Sequence, residues 1–299
     1  MQISPRSLGY NYVGTLLVQT DFKEGKDFFE NLEKMYGIMH FSDRQIGKHN
    51  VSAFFALKTY TEVDELVQQI KLHSNVIDVS ADFWIDSSNL DHPGNLIIEP
   101  TDEWCNSKQI MSKNEKMQQV TNSQYKNELI TEPPVNQNPR LDEIDYKILN
   151  LLSKNSRMSF RKISSKIGLS PQMVIKRYNE LKKNVVSYSS ITLSLEKIGY
   201  TGIALMAIKV SNQYTVSEVF ENLLQIPNVI VGHRQMGYFQ IGIGTPFKTI
   251  SHLLETHQKI SQTPGVIEIQ ASLPRLFPSW PLNIFSKLLS QPYQELNST

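Results

Sequence analysis

Ten basic residues fall between Tyr146 and Asn184 (Lys147, Lys154, Arg157, Arg161, Lys162, Lys166, Lys176, Arg177, Lys182 and Lys183) against one acid, Glu180. This local net of +9 sits in a chain whose overall charge is only +1. Basic side chains concentrated on a short segment are suited to neutralising phosphates, and the partner they imply is nucleic acid. Other chemistry is poorly represented. The seven histidines show no metal-ligand spacing, and the single cysteine, Cys105, can form neither an internal disulfide nor a thiolate metal cage. No Gly-rich phosphate loop, nucleophile elbow or paired-carboxylate motif is present. The expectation is a protein that binds rather than catalyses, with no cofactor and no metal.

The basic segment must be presented by a scaffold, and Leu141 to Asn184 has the pattern of a helix-turn-helix. Asp142 suits an N-cap with Asp145 three residues on, followed by Ile144, Ile148, Leu151 and Leu152 on one face. Ser159 can cap a second helix that buries Ile163 and Ile167, with Ser164 small enough for close approach of a third. Gly168 suits a left-handed turn, Ser170 an N-cap and Pro171 a first helical position. In the third helix Val174, Tyr178 and Leu181 face inward, which leaves Gln172, Met173 and Lys176 outward where base edges are read. Gln suits adenine and Lys guanine. The expected DNA-contacting set is Arg157, Ser159, Arg161, Lys162, Ser170, Gln172, Met173, Lys176 and Arg177; Arg177 suits an internal ion pair equally well.

On either side of this segment the chain repeats at an offset of about 190 residues. Gly9-Tyr10 matches Gly199-Tyr200, Phe29-Glu30-Asn31-Leu32 matches Phe220-Glu221-Asn222-Leu223, Arg44-Gln45-Ile46-Gly47 matches Arg234-Gln235-Met236-Gly237, and Val76-Ile77-Asp78-Val79 matches Val266-Ile267-Glu268-Ile269. The second copy reads as strand Ile203–Val210, helix Val216–Leu224, strands Val229–Met236 and Tyr238–Gly244, helix Phe247–Ser261 and strand Val266–Ala271. This βαββαβ order is the ferredoxin-like unit, whose helices cover one face of an antiparallel sheet. The uncovered face predicts sheet-to-sheet pairing of the copies, within or between chains.

The expected architecture is α+β: residues 1–86 a first βαββαβ domain, 87–140 a flexible linker rich in Asn, Gln, Ser and Lys, 141–193 a winged helix-turn-helix, 194–275 a second βαββαβ domain and 276–299 a tail. The tail's apolar stripe, Leu282, Ile284, Phe285, Leu288 and Leu289, suits docking on the same protein. Apolar stretches such as Val13–Val18 are too short to span a membrane, and the start lacks a signal-peptide pattern, so a cytoplasmic protein is expected.

These residues resemble the Lrp/AsnC, or feast/famine, family of prokaryotic transcription factors. The resemblance lies in Leu141-Asp142-x-x-Asp145-x-x-Ile148-Leu149, Arg157-x-Ser159, Ile167-Gly168-Leu169-Ser170-Pro171-x-x-Val174-x-x-Arg177 and Leu181, a wing from Val185 to Leu193, and Gly199-Tyr200. It implies a regulator that binds double-stranded DNA, self-assembles through its βαββαβ domains and responds to a small-molecule effector. The family's glycine after the recognition helix is replaced by Asn184, which is expected to support the same left-handed turn. The family's amino-acid site implies Gly237, Tyr238, Gln240, Gly47 and Asn50 as effector-binding positions. Gln240 and Asn50 stand where a carboxylate would hold an ammonium group, which argues against amino-acid sensing. The first copy begins as if after a wing, which reads as a tandem fusion that lost one helix-turn-helix or a chain that starts late. Two other readings are an assembly or sensing module without DNA binding, and a tetrapyrrole decarboxylase-like enzyme using histidines such as His233.

Overall fold

The computed structural model describes residues 1–21, 26–43, 45–89, 141–189 and 191–289. Arg44, Cys105 and nearly all of the expected linker lie outside the described residues, as does the end of the tail.

The first copy comprises β1 (Gln2–Ile3), β2 (Tyr12–Thr20), α1 (Lys26–Lys34), β3 (Ile38–Ser42), β4 (Val51–Leu57), α2 (Tyr60–Lys71) and β5 (Val76–Asn89). In β2 alternate residues separate the two faces: Leu16 and Val18 are fully buried beneath the helices, whereas Thr15 and Leu17 face the other way. Thr59 and Glu62 form a reciprocal capping box that starts α2, whose Val63, Leu66 and Ile70 are buried. The second half comprises α3 (Glu143–Lys154), α4 (Phe160–Ile167), α5 (Pro171–Asn184), β6 (Val186–Tyr188), β7 (Gly202–Val210), α6 (Val216–Leu223), β8 (Val231–Met236), β9 (Ile241–Phe247), α7 (Ile250–Ser261) and β10 (Val266–Ser272).

The strands form one eight-stranded sheet in the order β10-β7-β9-β8-β5-β2-β4-β3. Each half has the ferredoxin-like order, and each buries its own helix-to-sheet core. The halves join where β5 pairs antiparallel with β8, from Phe83↔Met236 to Asn89↔Val231. Arg234 clamps that seam through a bidentate pair with Asp86, its Nε donating to Oδ1 at 3.1 Å and Oδ2 at 2.9 Å. On the far side Ile46 and Leu273 exchange backbone hydrogen bonds at 3.2 and 2.8 Å. The second strand of one copy thus pairs with the last strand of the other at β5–β8, and a single bridge just beyond β3 and β10 gives the pseudo-twofold counterpart, while β3 and β10 remain the terminal strands of the sheet.

The helix-turn-helix packs on the first copy. Its Ile148, Leu149, Leu152, Ile163, Val174 and Leu181 share a core with Ile3, Tyr10, Val13 and Met39 and with Phe285, Leu288 and Leu289 of the C-terminal segment. At the matching place on the second copy, Tyr200, Ile203 and Ile230 are covered by Phe277 and Trp280 of the same segment. Lys287 fixes the segment by donating to the carbonyls of Glu33 and Ile38 at 2.7 and 2.8 Å.

Several local expectations are corrected. Asn184 remains helical and adopts no left-handed conformation; Val185 follows at φ −128. Burial of Val185, together with the bond from Ser4 N–H to its carbonyl at 2.9 Å, draws the chain directly into an extended path. The expected wing contracts to β6, whose partner is β1 at the start of the chain. β9 begins at Ile241 rather than Tyr238 because Gly237 to Gln240 form the turn, and it runs on to Phe247, so α7 starts at Ile250 behind its N-cap Thr249. β5 passes the expected boundary at Asp86 because its last residues pair with β8.

Candidate nucleic-acid interface

Three caps define the interface. Asp142 and Asp145 exchange side-chain-to-backbone hydrogen bonds at 2.9 and 3.2 Å to start α3. Ser159 Oγ accepts from Lys162 N–H at 3.3 Å to start α4, which ends at Gly168 with φ 73. Ser170 Oγ accepts from Met173 N–H at 3.3 Å to start α5, with Pro171 at the first helical position. Buried Ser164 lets α4 and α5 approach, and the Phe160 and Tyr178 rings meet at 5.0 Å beside them.

This packing leaves Gln172, Met173 and Lys176 exposed at the N-terminal end of α5, with Arg157, Arg161 and Lys162 exposed nearby in sequence on and before α4. Ile175, not singled out from the sequence, is also exposed on α5; its position beside the inward Val174 was the available signal. Three expected contacts have other tasks. Arg177 is turned inward, its Nη1 2.8 Å from both Asp142 Oδ2 and Asp145 Oδ1, and these hydrogen bonds raise its pKa further. It ties α5 to the cap of α3 and is thereby committed within the fold. Ser159 and Ser170 use their hydroxyl oxygens as caps.

The five expected effector positions lie at equivalent turns. Asn50 Oδ1 accepts from Thr20 N–H at 2.8 Å, and its Nδ2 donates to Thr20 Oγ1 at 2.6 Å. Gln240 Oε1 accepts from Val210 N–H at 3.0 Å, and its Nε2 donates to the carbonyls of Gly237 and Tyr238 at 3.1 and 2.9 Å. Both amides therefore strap their turns to the end of the copy's first long strand. Tyr238 donates to Glu268 at 2.8 Å beneath Lys209, and Gly47 and Gly237 allow close approach of Ser272 and Asp82. Among the described residues no His, Cys, Asp and Glu cluster could hold a metal, and no helix is long and apolar enough to cross a membrane.

Residues 141–182 match the model of the AsnC-type helix-turn-helix domain. An HTH-type transcriptional regulator of Pyrococcus furiosus is 29% identical over 116 residues, covering 38% of this chain and 72% of that protein. A second from the same organism is 30% identical over 125 residues, covering 41% of this chain and 81% of the relative. Among solved structures, E. coli AsnC aligns with a TM-score of 0.42 at 19% identity over 44% of this chain and 91% of its own. A Neisseria meningitidis transcriptional regulator solved with L-Met aligns at 0.41 and 23% identity, over 44% and 88%. The capped three-helix unit with its outward basic face, matched by that domain model and continued by a relative across most of its length, places this chain in the Lrp/AsnC family of DNA-binding, helix-turn-helix transcriptional regulators.

Proposed function

We propose that α5 enters the major groove, with Gln172, Met173 and Lys176 at base edges and Arg157, Arg161 and Lys162 on phosphates. The observation that carries this is the division of labour on the basic segment: Arg177 is spent on Asp142 and Asp145, while Lys176 beside it is exposed. Met173, 45% exposed, suits apolar contact with a thymine methyl. Lys176→Ala is expected to relax preference at one base position by about 1–3 kcal/mol, whereas Arg161→Ala weakens all sequences alike and lowers the salt slope by about one. Binding measured across salt concentration on specific and scrambled duplexes separates the two; unchanged binding in both variants would refute the assignment.

The same reading has the chain organised as an effector-like domain (1–86), linker, reader (141–193), second effector-like domain and tail, acting without catalysis in the cytoplasm. Self-association of whole chains is supported by exposed apolar side chains at repeat-equivalent positions: Ile46 and Met236, Tyr60 and Ile250, Ile77 and Ile267. Because Gln240 and Asn50 are engaged in their turns, leucine is expected to bind weakly or not at all at these positions; calorimetry giving a micromolar affinity abolished by Gln240→Ala would contradict this. Against a tetrapyrrole enzyme stands the space around His233, about 160 Å³, comparable to a cavity that holds one benzene.

A further inference from the structure

The faces of the two halves of the sheet turned away from their helices line this cavity of about 160 Å³, roofed by the C-terminal segment at Phe277 and Trp280. It exists because β9 presents Gly242 and Gly244 inward where β4 presents Ser52 and Phe54; a side chain at Gly242 would collide with the His233 ring. A carboxylate, Asp82, stands on its wall at the seam between copies. There Asp82 and Trp84 stand on one face of β5, and His233 and Gln235 on the same face of the paired β8.

These groups form a directed chain. Gln235 Nε2 donates to Asp82 Oδ2 at 3.2 Å, which leaves Gln235 Oε1 to accept from His233 Nε2 at 2.9 Å. The hydrogens all point toward Asp82, a carboxylate that only accepts and so has acceptor capacity to spare. Trp84 lies against His233 at 4.6 Å and against Phe54 at 5.5 Å, its indole N–H already donated to Thr15. The aromatic faces thus remain as an apolar wall beside the acceptor. Among the described residues no Lys or Arg lines the cavity, and burial lowers the pKa of both lining histidines, His49 and His233. A ligand carboxylate would therefore shed its water with no cation to pair.

We propose that the cavity is a binding site for a small amine carrying a single ring and no carboxylate, its N–H groups on Asp82 and its ring against Trp84 and Phe54. The site is built from both copies and borders the turns that hold Gly47 and Gly237, while the Asn50 and Gln240 side chains do not line it. It does not depend on how α5 meets DNA.

Calorimetry and tryptophan fluorescence on the full chain would compare benzylamine with benzyl alcohol, which lacks the charge, and phenylglycine, which adds a carboxylate. Benzylamine is expected to bind one per chain and change the fluorescence, with benzyl alcohol at least tenfold weaker and phenylglycine not binding. Asp82→Asn should weaken benzylamine at least tenfold and leave benzyl alcohol unchanged, and Ala207→Phe, which fills the cavity, should abolish both. The wild-type comparison decides even if neither variant folds. No benzylamine binding, equal binding of the three probes, or full affinity in a folded Asp82→Asn would overturn the proposal.

Discussion

Leu288→Ala is expected to destabilise the chain by about 2–5 kcal/mol, the range for truncating a buried leucine in a core that relaxes incompletely. Leu288 is wholly buried in the cluster that joins the C-terminal segment to Ile148, Leu149 and Leu152 of α3 and to Ile3, Val13 and Met39 of the first copy. Three parts of the chain meet there, so the cavity would loosen the mount of the DNA reader as well as the global fold. Urea unfolding and hydrogen exchange check this: amides of α3 to α5 should lose protection together with the overall stability. A loss below 1 kcal/mol with unaltered protection would show that the segment is merely laid on the surface.

The second large effect depends on pH. Burial pushes the His233 pKa down from 6.5 to about 4, against the smaller raising effects of Gln235 and Asp86. In the unfolded chain the imidazole takes up its proton near 6.5, so between these values the unfolded state binds more protons. Stability from His233 is therefore complete above pH 6.5 and declines as pH falls toward 4, by about 3 kcal/mol for a difference of this size. His233→Gln removes that dependence. Asp82, pushed up to about 6 chiefly by burial, runs oppositely and costs stability as pH rises through that value. It is present in both proteins, so the difference between their profiles isolates His233. Unfolding free energies at pH 7 and 4.5 should show the wild type losing more than the variant; parallel profiles would contradict the burial of a neutral imidazole.

The local grammar of the reader was legible because caps and turns are decided within a few residues. Asp142, Ser159, Gly168, Ser170 and Pro171 each stand where the chain adopts the conformation their chemistry favours. Asn184 shows the limit, since burial of Val185 overrode a preference for the left-handed turn. Arg177 could not be assigned from charge, because a phosphate and a pair of aspartates ask for the same guanidinium; only the approach of α5 to the start of α3 decides. The repeat disclosed two βαββαβ units, but the pairing of β5 with β8 joins residues about 150 apart and leaves no local trace. The cavity was hidden for the same reason: the space that Gly242 and Gly244 leave is bounded by side chains of the other copy, far away in sequence.

One chain pairs its two copies with each other and carries one reader among its described residues, so recognition of two half-sites is expected to take two chains. Dimeric readers of this kind meet half-sites about one helical turn apart. Native mass spectrometry of the 299-residue chain on a mapped duplex tests this most directly. One chain is expected on a duplex carrying one half-site and two on a duplex carrying both. A single chain that saturates and protects both half-sites would contradict it.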